Sequence, residues 1–383
     1  MRKFRSAPLT FTVLFLIGIF VVLIFLMQFE SVSEWWTITI ARMYHLTFAW
    51  FFSLIPFSLM EIIVVTWGVL IVIQLIKSIR FAIKKEPSLF LKSLQSALIM
   101  LLVMTNLYVA TAGMAYRRQP VVIPQFEGDV VYTEYVSIVD YFTDRFNEAS
   151  TQLSFDEDTG SVINPYSLDE LNEIVGEAFL NANLDSTYFT TYSATIKPLL
   201  TSFLYREFQI TGVHFAPSTE ATINILIPDA LIPYTMIHEL VHAKGVMRED
   251  DANLVALYVC LLSDDPYLQY SGYFNTFYAL LNLTRYMGDP TAYARAYQRL
   301  NLSIREDYQF QGIYWAKYDI LDTFARWVND TYLRLFGTDG VSSYTDVPTI
   351  TTIDDGENII EVIDVFSPYQ QLFFYQYFIW NAS

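Results

Sequence analysis

Met236-Ile237-His238-Glu239-Leu240-Val241-His242-Ala243-Lys244-Gly245 contains the pattern H-E-x-x-H. On a helix, two histidines four apart stand on one face, one turn above the other. Their imidazoles can converge on one metal ion. Glu239 follows the first histidine and can reach a water on that metal, the arrangement of a zinc hydrolase with Glu239 as general base. The chain has four histidines, and two of them are here. The competing reading is a surface helix with two unrelated histidines. The residues that follow favour the metal.

Catalytic zinc usually takes three protein ligands and one water. In a continuous helix Glu249 would share the face of His242 but lie about 10 Å further along the axis. The helix must therefore break, and Gly245 is the natural residue to end it. A second helix starting near Arg248 would bring Glu249 back toward the metal. Glu249-Asp250-Asp251-Ala252-Asn253 reads E-x-x-A-N. Asn253, one turn after Glu249, is expected to hydrogen-bond a ligand. A metzincin would need histidine or aspartate at position 248, where this chain has Arg248.

The segment resembles a gluzincin, in which the third ligand is the Glu of an E-x-x-A-D/N motif on a following helix. More closely, it resembles a bacterial membrane family of unknown function, domain of unknown function 3810, with H-E-x-A-H-x-x-G followed by E-D-E-A-N. Further blocks carry the likeness: Lys197-Pro198, Gly212 to Pro217, Glu220 to Asn224, Tyr270-Ser271-Gly272, Tyr332-Leu333-Arg334 and Gly340 to Tyr344. Val241 and Asp251 depart from the pattern, and neither is a proposed ligand. The resemblance covers most of the chain and implies a peptidase without implying its substrate.

Composition sets the outer limits. The mean hydropathy of +0.31 and a hydrophobic content of 53% are high for a soluble protein. The first 118 residues carry 11 Lys/Arg and 4 Asp/Glu; the remainder carries 12 and 36. A basic membrane domain (1–118) followed by an acidic globular domain (119–383) accounts for this. The acidic surface argues against nucleic acid as a partner. Cys260 is the only cysteine, which excludes an intrachain disulfide. On an apolar helix face it reads as a buried structural thiol.

Apolar runs predict three transmembrane helices, at about 9–27, 57–76 and 94–112. The first could instead be a cleaved signal peptide, but its length and the spans that follow favour an uncleaved helix. Residues 34–53, aromatic throughout, read as an interfacial segment. His45 inside it reads as structural. Glu61 lies near the end of the second span, where it can snorkel or pair. The leader has three Lys/Arg, the 77–92 loop five and the 28–56 loop one. The positive-inside rule then puts the C-terminal domain outside the cytoplasm, against the mild dissent of Arg117 and Arg118.

The domain beyond reads as largely helical. Apolar positions at helical spacing predict a helix over 131–152. Asp156 to Gly160 reads as a solvated turn, since its spacing does not suit a calcium loop. Ser167 to Glu170 is a capping box opening a helix to about Asn181. Residues 186–195 read as loop. Residues 208–228 have strand character, strongest over 221–227. In gluzincins a strand before the zinc helix pairs with extended substrate. His214 could stabilise a transition state but reads better as structural, and Glu220 stays open. Further helices are expected from 266 to about 287, from Pro290, and over 312–335. The aromatic tail, 366–380, is too short to span and would pack on the domain or rest on the membrane.

The sequence therefore predicts a mainly α membrane protein: three N-terminal transmembrane helices and a mostly helical, gluzincin-like extracytoplasmic domain with a small β element. Zn2+ would be held by His238, His242 and Glu249, with Glu239 as general base and Asn253 supporting a ligand. A Tyr or Arg from 332–344 would stabilise the oxyanion. The expected partners are a peptide or protein substrate and the lipid bilayer of the bacterial cell membrane. Two rivals are a catalytically silent zinc-binding sensor or binding protein, and a structural membrane protein with a fortuitous motif.

Overall fold

A computed structural model describes residues 7–124, 126, 128, 130–190, 194–286, 288–318, 326–327, 330–331, 334, 350–354, 359–363 and 367–380. Helix α1 (Ala7–Leu26) is apolar on every side. Helix α2 (Glu30–Trp36), a π-helical turn (Thr37–Ala41) and α3 (Arg42–Ser53) follow as one helical strap. Helices α4 (Leu59–Ile83) and α5 (Pro87–Thr111) join α1 as the three helices long and apolar enough to cross a membrane. At 25 residues, α4 and α5 are each roughly 37 Å long, more than a hydrocarbon core of about 30 Å needs. They outrun the expected segments at the end carrying Lys77, Arg80 and Lys92, because a helix continues into the headgroup layer with its charges. Asn106 Nδ2 donates to the Leu16 carbonyl at 3.1 Å and ties α5 to α1, while Trp67 Nε1 donates to Met100 O at 3.0 Å and ties α4 to α5.

The strap lies against the end of α5 rather than free at an interface. Trp36 Nε1 donates to Ala110 O at 2.8 Å, and Arg42 reaches the carbonyls of Ser186, Thr187 and Tyr188. Its other face leaves Trp35, Met43, Trp50 and Phe51 exposed. Side chains of this kind favour headgroup depth.

Strand β1 (Val130–Val131) leads into α6 (Tyr132–Thr151), whose Tyr135, Ile138, Val139, Phe142 and Phe146 are buried as their spacing predicts. Asp156 accepts from the Thr159 N–H and hydroxyl, so 156–160 is a turn. Helix α7 (Leu168–Asn181) opens on the expected Ser167/Glu170 capping box. Strand β2 (Lys197–Pro198), α8 (Ser202–Glu207), β3 (Gly212–Phe215) and β4 (Glu220–Ile223) follow. β4 is central, parallel to β2 and antiparallel to β3, with Val213 opposite Thr222. The strand stops at Ile223, short of the expected Ile227. Asn224 turns the chain there, its side chain accepting from Leu226 N–H and donating to Ile210 O.

Helices α9 (Ile232–Ala243), α10 (Glu249–Leu262), α11 (Pro266–Tyr286), α12 (Pro290–Arg299) and α13 (Leu302–Ala316) build the core with α6. The helix expected over 312–335 begins ten residues earlier, just after Asn301, and residues 319–325 lie outside the described residues. Strands β5 (Ile350–Asp354) and β6 (Ile359–Ile363) form a second three-stranded sheet with β1 that the sequence reading does not contain. The aromatic tail is helical over Pro368–Tyr375 and buries Leu372, Phe373 and Phe374 in the core, so it packs on the domain. Cys260 is fully buried, and burial pushes its thiol pKa up, as suits a structural thiol.

Candidate metal centre

α9 carries His238 and His242 one turn apart and ends at Ala243. Gly245, at φ +99°, takes the left-handed position that ends the helix. Val246 N–H donates to Val241 O and Gly245 N–H to His242 O, the paired bonds of a Schellman motif. Arg118 Nη1 donates to the Gly245 carbonyl at 2.9 Å, and Glu34 pairs with the same guanidinium at 2.7 Å. Helix α10 then starts at Glu249 with three acids in its first turn, where the helix dipole favours negative charge.

This break returns Glu249 to the histidines. His238 Nε2 and His242 Nε2 are 3.0 Å apart, and Glu249 lies 3.2 Å from the first and 3.7 Å from the second. All three ligand atoms fall within 4.8 Å of one another. Metal–ligand bonds of about 2.0–2.1 Å in a tetrahedron separate ligand atoms by about 3.3 Å. The three separations bracket that value. His242 Nδ1 lies 2.6 Å from the Val246 carbonyl. That contact holds the proton on Nδ1 and leaves Nε2 free to ligate. Two imidazoles and one carboxylate with a further position open are the donor set of a catalytic zinc site. Asp250, the alternative third ligand, is engaged by Arg248 at 2.8 Å and stands outside the cluster.

Charge follows the same geometry. Burial disfavours a charged His242, but the Glu249 carboxylate outweighs it and raises the imidazole to about 9. Burial likewise pushes Glu249 up, and the two imidazoles overcome it and hold the carboxyl well below its usual range. Glu239 is buried beside the cluster, and burial raises its pKa against the pull of the two histidines. Its Oε2 has no hydrogen-bond partner among the described residues.

Gly212 of β3 lies directly against Glu239: a Cβ there would fall 2.7 Å from the Glu239 carboxylate. His214 on the same strand is half-buried between two other histidines, its ring 6.0 Å from His45 and 6.4 Å from His242. Burial first, then those neighbours, holds its pKa well below the ordinary value, and the residue lines the cavity beside Glu239. His45 is buried with Nε2 3.3 Å from Thr111 O and takes no part in the cluster. Asn253 accepts from the Tyr234 hydroxyl at its backbone carbonyl, 2.9 Å, and at Oδ1, 3.4 Å. The expected bond from Asn253 to a ligand is not formed among the described residues. Of 332–344, only Arg334 is described. It is exposed and pairs with Asp330 at 2.7 Å.

Sequence reasoning left Glu220 open and did not single out Arg118 beyond its charge. Glu220 is buried, pairs with Lys197 at 2.7 Å, and accepts the Leu59 and Met60 N–H groups at 3.0 and 2.7 Å. It caps the first turn of α4 and so fixes the sheet to a membrane helix. A buried Lys–Glu pair leaves no periodic trace in a sequence, so no pattern could have found it.

The cluster opens into a cavity of about 1200 Å³, whose wall includes Glu239, Gly212, His214, Tyr205 and Arg326. The chain belongs to the family described as protein of unknown function (DUF3810), which it matches over residues 36–351. No curated protein and no solved structure matches it.

Proposed function

We propose that this member of the DUF3810 family is a membrane-anchored zinc metallopeptidase of the gluzincin kind. One observation carries the reading: three ligand atoms from His238, His242 and Glu249 lie within 4.8 Å, on two helices joined by the break that gluzincin chemistry requires. Zinc held there would supply Lewis acidity toward water and the scissile carbonyl. Glu239, buried with a raised pKa and a free oxygen facing the cavity, takes the proton of the attacking water and passes it to the leaving amine. Strand β3 presents its outer edge next to Glu239, where an extended peptide can pair with it.

Three purified variants test the assignment by elemental analysis and peptidase rate. Glu239→Gln should keep about one zinc per chain, as a non-ligand must, and lose about 10²–10⁴-fold in rate. Glu249→Ala should lose both metal and activity to a mild chelator, whereas Asp250→Ala should lose neither. A wild-type protein that binds zinc yet cleaves no member of a peptide library would instead be the silent zinc-binding sensor. A chain that binds no zinc would refute both.

A further inference from the structure

The cavity around the cluster is shared between the C-terminal part and the membrane helices. Val64 and Val65 of α4, Tyr108 of α5 and Ala112 just past its end stand on its wall together with His238 and Glu249. Val64 and Val65 lie inside the apolar run that begins at Ile62, roughly 8–9 Å down the axis from the first residue of α4 at 1.5 Å per residue. The wall therefore continues past the headgroup layer to the hydrocarbon. Met247, between the two ligand-bearing helices, packs on Ala112, Ala115 and Tyr116 at the end of α5. A spanning α5 would thereby hold the cluster at headgroup depth.

The facing wall is α8 and its flanks. Glu61, at the start of α4, accepts the Leu200 and Thr201 N–H groups at 2.5 and 2.8 Å and so pins this segment to the span. Leu200, Phe203 and Leu204 are apolar and about half exposed there. Side chains of that kind, held beside a membrane helix, bury themselves in the interface. The cleft is thus flanked on one side by a helix of spanning length and by an exposed apolar segment suited to a bilayer surface. On the same cleft, β3 pairs with another strand on one side only among the described residues, and its His214 N–H is turned to the Glu239 carboxylate. The remaining backbone groups of such an edge recognise an extended polypeptide and have no use for a lipid.

We propose that the cleft takes the juxtamembrane segment of a membrane-anchored polypeptide, entering along α4 and α5. The inference rests on the peptidase reading for its chemistry. Water adds across one amide, its OH going to the acyl carbon and its proton to the amine as the C–N bond breaks, with no other reactant. At about 3.3 Å per residue, a chain crossing a headgroup layer of about 5–8 Å reaches the cluster within about five residues of leaving the bilayer.

The test uses the full-length, zinc-loaded protein in phosphatidylcholine–phosphatidylglycerol vesicles. One degenerate peptide library is offered in three forms: fused directly to a single-span anchor, fused through a spacer of about thirty Gly/Ser residues, and unanchored. The directly fused form should be cut at least tenfold faster than the other two, within about five residues of the anchor. Equal rates in all three forms would overturn the inference and leave the peptidase reading standing. A photo-crosslinking amino acid at Val65 in the Glu239→Gln protein should capture the directly anchored polypeptide. If nothing is cut in any form, the peptidase reading fails. Capture at Val65 would then still support the binding mode, and crosslinks to phospholipid alone would overturn it.

Discussion

Gly212 has no side chain, and Glu239 fills the space where one would begin. A Cβ at Gly212 would lie 2.7 Å from the Glu239 Cγ and Oε1 and 2.9 Å from the Thr235 methyl. Alanine there must displace the carboxylate while leaving the three ligands untouched. Gly212→Ala should therefore keep its metal and lose about 10²-fold in kcat, the usual consequence of misplacing a reacting group by about 1 Å. Metal analysis beside steady-state kinetics checks this, and unchanged turnover would count against Glu239 as the base. At this scale the sequence was readable where chemistry constrains spacing. His238, His242 and Glu249 follow from the helical turn and one glycine. For Asn253, one turn of helix fixes the face of the residue but not its hydrogen-bond partner; the Tyr234 hydroxyl donates to its backbone carbonyl and, at 3.4 Å, to its Oδ1. The cap that Glu220 gives to Leu59 and the pair that Arg118 makes with Glu34 join residues 161 and 84 positions apart, which no local pattern encodes.

Between elements, the turn from α9 to α10 sets the site. Val246 has two jobs in it: its N–H closes the Schellman motif, and its carbonyl faces His242 Nδ1. Both depend on Gly245 at φ +99°. A β-branched residue in a left-handed conformation costs roughly 1–2 kcal/mol, so Gly245→Val should unwind the turn or shift it. Zinc affinity, followed by competition with a chelator, should fall about tenfold or more while the protein still enters the membrane. Unchanged affinity would mean that the break does not place Glu249. This turn was legible because a ligand seven residues on from His242 cannot reach back along a straight helix. The sheet of β1, β5 and β6 was not, since β1 is two residues long and its partner lies more than 220 positions later. The start of α13 was missed for a different reason. Its apolar and polar positions do not segregate to faces, so periodicity gives no boundary there.

On the scale of the whole molecule, the three spans fix which end carries the site. Leu26, Leu59 and Thr111 are the span ends adjoining the strap and the metal-bearing part, and the Lys84–Lys85 turn lies at the other end. The five basic residues of 77–92 face no such partner part, and the positive-inside rule assigns them to the cytoplasm. Of the two basic residues that dissent, Arg118 is buried and paired with Glu34 and offers no net charge to the rule, which leaves Arg117 against the five of 77–92. On that rule the proposed metal site would face outward. Cys260, the only cysteine, is buried, which makes single-cysteine labelling clean. Asp158→Cys in an exposed turn should react with a membrane-impermeant maleimide in intact spheroplasts, and Lys85→Cys only after lysis. The parent chain should stay unlabelled in both, because a fully buried thiol with a raised pKa offers neither access nor thiolate. Labelling of Lys85→Cys before lysis, with Asp158→Cys protected, would reverse the topology and place the site in the cytoplasm.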